Sequence, residues 1–75
     1  MNIKVMGGGC SKCETLLANT KEAVKNRGIE AEIEYITDFG IIAEYGIMSL
    51  PALVVDEKVV SAGKVLKSSD IEALI

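Results

Sequence analysis

Apolar and polar side chains alternate regularly in the middle of the chain. In residues 29–36, Ile29, Ala31, Ile33 and Tyr35 fall on one face, and glutamates occupy the positions between them. A period of two predicts a β-strand with one buried and one solvated face. The charged row also suits an edge strand, because charges discourage pairing with other chains.

The segment after the first glycines has the spacing of a helix instead. Its apolar positions recur at steps of three and four residues, and Gly28 is a natural left-handed stop. Ser11 and Glu14 match a capping box, with Ser11 as the N-cap. We expect the face turned to the core to comprise Cys13, Leu16, Leu17, Thr20, Ala23 and Val24.

The remaining elements are shorter. Thr37 or Asp38 would cap a second helix that stops at Gly46, and Ser69 with Glu72 fits a capping box for the last helix. The core-facing residues of these two helices should be Phe39, Ile42 and Ala43, then Ile71, Leu74 and Ile75. The predicted elements are strands at Asn2–Met6, 51–55 and Lys58–Ala62, a helix at 37–45 and a helix that opens at Ser68 or Ser69.

This order of elements, β-α-β-α-β-β-α, predicts an α/β fold. The first two strands can pair in parallel through a right-handed crossover, and the last two form a hairpin around residues 56–57. The expected architecture is one domain, residues 1–75, with a four-stranded mixed sheet flanked by helices.

Composition narrows the classes of partner. The chain has 75 residues, of which 49% are hydrophobic, so a compact core is expected rather than disorder. A net charge of -3, with basic residues spread along the chain, argues against nucleic acid or an anionic membrane surface as a partner. The longest uncharged run, residues 45–55, is too short to span a membrane, so no membrane insertion is expected, and no secretion signal is visible. The expected compartment is the cytoplasm, where thiols stay reduced.

The candidate chemistry lies in the stretch GGGCSKC, residues 7–13. Cys10 and Cys13 are the only cysteines, and the chain has no histidine. A structural disulfide would close a very short loop, contribute only about 2 kcal/mol and connect no distant elements. The pair could instead be a redox dithiol, a metal site or a noncatalytic feature of an adaptor. Soft thiolates suit Cu(I) and zinc, but two thiolates fill only half of a structural zinc site.

The helix boundary favours the redox interpretation. Cys10 directly precedes the helix, where unpaired N–H groups and the helix dipole stabilise a thiolate, so we predict a lowered Cys10 pKa. Lys12 adds a positive charge, and Glu14 opposes it less because it is engaged as a cap. Cys13, on the apolar face, should be less exposed. Cys10 would therefore attack a substrate disulfide, and Cys13 would resolve the mixed disulfide.

Three motifs in order resemble the thioredoxin superfamily: Cys10-Ser11-Lys12-Cys13 after a strand, Met48-Ser49-Leu50-Pro51 before a hairpin, and Gly63 beyond it. The chain is most similar to the very small prokaryotic thioredoxin-like or glutaredoxin-like redox disulfide proteins. This resemblance implies a minimal thioredoxin-like fold with strand order 2-1-3-4. It also implies a monomeric protein disulfide oxidoreductase with no cofactor beyond the redox-active Cys10–Cys13 disulfide.

The resemblance also implies partners and site residues. The partners would be disulfide-containing proteins and a reductase or dithiol electron donor. Pro51 would be cis and beside the cysteines, and the backbone of Leu50 would receive the substrate's chain. The residues implied to contact substrate are Gly9, Ser11, Lys12, Leu50, Pro51 and Gly63.

The chain departs from thioredoxins at three points. Gly9 replaces the usual aromatic residue, no proline lies between the cysteines, and the first strand lacks the buried carboxylate that assists proton transfer. Protons would then move through water or another group, with Lys4 and Glu14 as candidates.

Small copper chaperones also carry Cys-x-x-Cys after a first strand, and they are the main alternative. They have methionine two residues before the first cysteine, where this chain has Gly8, and their fold ends in a strand. The helical pattern at this C-terminus therefore favours redox chemistry over metal transfer.

Overall fold

A computed structural model describes residues 1–75 and contains the seven predicted elements in the predicted order. The first and last strands have the predicted bounds, whereas the second strand begins at residue 32 rather than 29. The elements are β1 (Asn2–Met6), α1 (Ser11–Arg27), β2 (Glu32–Ile36), α2 (Phe39–Glu44), β3 (Ala52–Val55), β4 (Lys58–Ala62) and α3 (Ser68–Glu72).

The strands form one mixed sheet in the order β2-β1-β3-β4, which confirms the predicted fold class. Strands β1 and β2 are parallel, and the β1–β3 and β3–β4 pairs are antiparallel. Strand β2 lies at an edge, with its glutamates exposed. The parallel ladder continues one residue past β1, since the Gly7 N–H donates to the Ile36 carbonyl at 3.0 Å. This pairing holds the start of the Cys-x-x-Cys loop against the sheet.

Each face of the sheet carries its own apolar cluster, because successive side chains of a strand point to opposite faces. Helices α1 and α3 contribute to the first cluster, and α2 contributes to the second. The buried residues of the first cluster are Ile3, Val5, Leu16, Ala23, Leu53, Val55 and Ile71. Those of the second are Met6, Ile42, Ala52 and Val54.

Two of the three predicted helix caps are wrong. The N-cap of α1 is Cys10 rather than Ser11, which is the first helical residue and whose carbonyl accepts a hydrogen bond from Thr15. In α3 the Asp70 carboxylate accepts from the Lys67 N–H, so the cap lies two residues before the predicted Ser69–Glu72 pair. Both errors place the cap too late, because several adjacent polar residues satisfy the same sequence pattern. Asp38, one of the two predicted candidates, caps α2.

The expected inward orientation fails at Phe39, Ala43 and Leu74, which are exposed. Helix α2 spans six residues, and Ile42 is its only buried residue. Such a short helix presents less than two full turns, so a three- and four-residue pattern overstates the width of its buried face. Ile71 is buried as predicted, and Ile75 packs partly against the first cluster.

Candidate active site

The two cysteines occupy different environments at the start of α1. Cys10 is the N-cap, has extended backbone angles and is exposed. Cys13 lies within the first helical turn and is 0% exposed. Both are free thiols, and their Sγ atoms are 2.9 Å apart in an S–H···S contact. An accessible sulfur thus lies against a buried one, which is the arrangement that thiol–disulfide exchange needs.

The pKa of Cys10 is lowered, which is the direction that the sequence predicted. The largest cause is the hydrogen bond from the Cys13 thiol, followed by the backbone N–H groups of Cys13 and Lys12. Desolvation acts in the opposite direction and is outweighed. The helix-terminus amides therefore contribute as expected, but the leading interaction is with the second thiol, a contact that the sequence argument did not include.

This order of causes predicts how alkylation of Cys10 depends on pH. In Cys13→Ala the thiol donor is lost, so the half-maximal rate of alkylation by iodoacetamide should move to higher pH than in the unsubstituted protein. In Cys13→Ser a hydroxyl can still donate, and the profile should stay closer to the original. Mass spectrometry of the Cys10 peptide over a pH series measures both. Coincident profiles for the alanine variant and the unsubstituted protein would contradict the assigned role of the Cys13 thiol.

Gly7 leaves the space that the Cys13 side chain occupies, a role that the sequence analysis missed. A Cβ added at Gly7 would lie 2.4 Å from Cys13 Sγ and 2.6 Å from Cys13 Cβ, closer than real side chains approach. The first residue of the glycine run is therefore needed for close packing, beyond the flexible turn that three glycines suggest. A Cβ added at Gly8 would make only an ordinary 3.6 Å contact with the Phe39 ring, and one added at Gly9 would meet open space.

The Leu50–Pro51 peptide bond is cis, as the resemblance implied. Pro51 is buried, and the next residue, Ala52, pairs with Met6 at the end of β1 that leads into the Cys-x-x-Cys loop. The Leu50 side chain packs against the second cluster, while its N–H and C=O make no hydrogen bond within the chain. The cis-proline loop and the dithiol loop thus share one end of the sheet, with free backbone groups at Leu50.

Gly63 supports the same loop. Its N–H donates to the Pro51 carbonyl at 2.8 Å, and an added Cβ would lie 2.9 Å from the Cβ of Ser49. Its φ of 76° is also one that residues with a side chain rarely adopt. Gly63 therefore allows the end of β4 to pack closely on the segment before Leu50.

The other implied substrate contacts, Gly9, Ser11 and Lys12, are exposed around Cys10. Two apolar residues that the sequence analysis did not assign to the site lie beside these loops. Phe39 contacts the Gly8 position and is 64% exposed, and Met48, two residues before Leu50, is 98% exposed. The sequence gives no signal that these two side chains are exposed at the site, because an apolar residue on a short amphipathic segment is expected to lie in the core.

Lys4, a candidate for proton transfer, lies on the α2 face of the sheet. Its ammonium group donates to the Tyr45 hydroxyl at 3.0 Å and forms an ion pair with Glu57. These partners raise the Lys4 pKa above its usual value. Cys13 is on the α1 side, so the sheet separates Lys4 from the dithiol.

Neither a metal cluster nor a membrane span is present. No group of three or more histidine, cysteine, aspartate or glutamate side chains could hold a metal ion. None of the three helices is long and apolar enough to cross a membrane.

Comparison with known proteins gives one consistent result. A family model described as a thioredoxin domain matches residues 1–75. The chain is 39% identical over 75 residues to a thioredoxin of Methanothermobacter thermautotrophicus, an alignment that covers 100% of this chain and 97% of that protein. It is also 37% identical over 70 residues to a thioredoxin of Methanocaldococcus jannaschii, covering 93% of this chain and 80% of the relative.

Proposed function

This chain belongs to the thioredoxin family, whose chemistry is thiol–disulfide exchange, and on that premise we propose that it reduces protein disulfides with Cys10 as nucleophile and Cys13 as resolving thiol. The observation that carries the proposal is the contact between an exposed and a buried thiol, with Sγ atoms 2.9 Å apart, at the N-terminus of α1. The lowered Cys10 pKa raises the fraction of thiolate at neutral pH.

The reaction proceeds in two exchanges. The Cys10 thiolate attacks one sulfur of the substrate disulfide, a Cys10–substrate bond forms, and the other substrate sulfur leaves as a thiolate that takes a proton from solvent. Cys13 then gives its proton to solvent and attacks the Cys10 sulfur. The Cys10–Cys13 bond forms, and the second substrate thiolate departs. Two electrons have passed to the substrate, and a reductase or dithiol donor returns them.

The substrate chain would lie across the cis-proline loop. Leu50 has a free N–H and a free C=O, the pair of groups that an added extended strand would use. Gly9, Ser11 and Lys12 leave Cys10 open to approach, while Pro51 and Gly63 hold the loop in place. The exposed side chains of Phe39 and Met48 favour substrates with apolar residues near the disulfide.

Trapping with Cys13→Ser tests the proposal. This variant keeps the attacking thiol but cannot resolve the mixed disulfide, so covalent complexes with disulfide-containing proteins should accumulate and dissociate on reduction. The control is the double variant Cys10→Ser/Cys13→Ser, which should form none. Mass spectrometry should locate the attachment at Cys10.

A redox titration of the unsubstituted protein complements the trap. The two thiols should be lost together in one two-electron transition, within the range of about -270 to -120 mV covered by dithiol oxidoreductases. Equal capture by the single and double variants, or thiols that titrate independently, would contradict the proposed function.

A further inference from the structure

The resolving step needs a buried thiol to become an anion, and the surroundings of Cys13 offer few groups to assist it. Cys13 is 0% exposed, and β1 presents only Ile3 and Val5 to this side of the sheet before the chain reaches Gly7. Lys4 is on the opposite face, where its ammonium group forms an ion pair with Glu57. An isolated anion in such a site is costly unless a hydrogen-bond donor reaches it.

Tyr35 is the polar residue that the sheet places against this site. It lies on β2 in register with Val5 and packs on the first apolar cluster. The Cβ position of Gly7 is 3.6 Å from Tyr35 Cε1 and 2.4 Å from Cys13 Sγ, so the ring and the sulfur flank the same glycine. The Tyr35 hydroxyl is buried and has no hydrogen-bond partner. A buried hydroxyl without a partner in the chain is uncommon, and it leaves a donor free to pair with a charge that forms beside it during the reaction.

We infer that Tyr35 is a positioning residue for the resolving thiol: its hydroxyl donates a hydrogen bond to the Cys13 sulfur when that sulfur carries the attacking negative charge. This inference rests on the proposed function, because it assigns a role within the second exchange.

The protonation state of Tyr35 agrees with a donor role. Burial raises the Tyr35 pKa, and the negative charges of Cys13, Cys10 and Glu14 raise it further. The nearby Gly9 N–H favours the ionised phenol and so acts in the opposite direction, but it lies outside hydrogen-bond geometry with the hydroxyl. The phenol is therefore neutral when the dithiol works and keeps its proton throughout.

The remaining charges near the site do not replace this donor. The Lys12 and Glu14 side chains lie on the exposed side of the same helical turn. β1 contributes no titratable group to this face, since Lys4 points to the α2 side. The proton of Cys13 leaves to solvent before the attack, the Cys10–Cys13 bond forms, and the substrate thiolate departs as described above. Hydrogen bonds to an ionised acceptor are the strong ones, so one donor can govern the rate of this step.

Single-turnover kinetics with dithiobis(nitrobenzoate), a chromogenic and symmetrical aromatic disulfide, tests the inference. Attack by Cys10 releases one nitrothiobenzoate, and resolution by Cys13 releases the second, which separates the two exchanges in time. In Tyr35→Phe we expect the second phase to slow about tenfold at neutral pH and its pH profile to move up by about one unit. The first phase should change less than about twofold, because Cys10 keeps its own donors.

The matched control is Tyr45→Phe, which removes the other tyrosine hydroxyl. That hydroxyl bonds to Lys4 and Glu57 on the opposite face, so both kinetic phases should be unchanged. Thermal unfolding of each variant reports any loss of stability separately.

The outcomes are distinguishable. A second phase in Tyr35→Phe that equals that of the unsubstituted protein at every pH would overturn the inference alone. A slower second phase with an unmoved pH profile, or equal slowing of both phases, would also overturn it, because either points to a purely structural role. If the unsubstituted protein releases no second nitrothiobenzoate, the proposed function itself fails.

Discussion

We expect Cys10→Ser to slow the reduction of protein disulfides by about a thousandfold or more, to the rate of the reductant alone. The first exchange requires a sulfur anion, and a serine hydroxyl does not ionise near neutral pH. Cys13 cannot substitute, because it is fully buried against Gly7 and a protein disulfide cannot reach it. Turnover of a model protein disulfide with dithiothreitol as donor measures the effect.

Cys13→Ser is the matched comparison, since it also leaves a single thiol. In the absence of dithiothreitol, which would itself reduce the mixed disulfide, it should form one mixed disulfide per chain in a rapid first reaction and then stop, whereas Cys10→Ser should form none. Circular dichroism of both variants should match that of the unsubstituted protein, because Cys10 is exposed and the serine at position 13 is nearly isosteric. Retained turnover in Cys10→Ser would show that the attacking sulfur has been assigned to the wrong residue.

Gly7→Ala should lower both stability and activity. The added methyl would lie 2.4 Å from Cys13 Sγ and 2.6 Å from Cys13 Cβ, so the first turn of α1 has to move away from β1. Overpacking of this kind costs about 1–3 kcal/mol, and a displacement of about 1 Å between reacting groups can lower a rate about a hundredfold. Urea unfolding and the same turnover assay measure the two effects.

Gly8→Ala is the control for this prediction. An added Cβ there meets only the Phe39 ring at 3.6 Å, an ordinary contact, so stability should change by less than about 1 kcal/mol. Adding Cys13→Ala to Gly7→Ala should not restore stability, because the Cβ of residue 13 is itself too close. If Gly7→Ala and Gly8→Ala unfold at the same urea concentration, the packing of Cys13 does not require a glycine at position 7.

Much of the fold was predictable because it depends on local patterns. The alternation in residues 29–36 identified an edge strand, and the continuous apolar run identified β3, whose four residues are all buried. Gly28 marked the end of α1, where it adopts a left-handed conformation. The parts that failed depend on contacts between elements: Phe39 lies at the dithiol loop instead of in the core, and this follows from how α2 packs on the sheet.

The candidate site also has features that the local sequence predicts and features that depend on contacts between side chains. That Cys10 precedes a helix and Cys13 lies on its apolar face could be read from periodicity, and the lowered Cys10 pKa followed from helix-terminus electrostatics. The largest cause of that lowered pKa, the Cys13 thiol, requires the rotamers of two side chains, which no sequence pattern specifies.

The sequence by itself determined the order of strands and helices, the asymmetry of the two thiols and the chemistry that such a pair can perform, because each of these depends on residues close together in the chain. Tertiary structure alone decided that Gly7 leaves room for Cys13, that Gly63 packs on Ser49 and that the Tyr35 hydroxyl is buried without a partner. These contacts join residues from separate elements, and their distances are set by the packing of helices on the sheet.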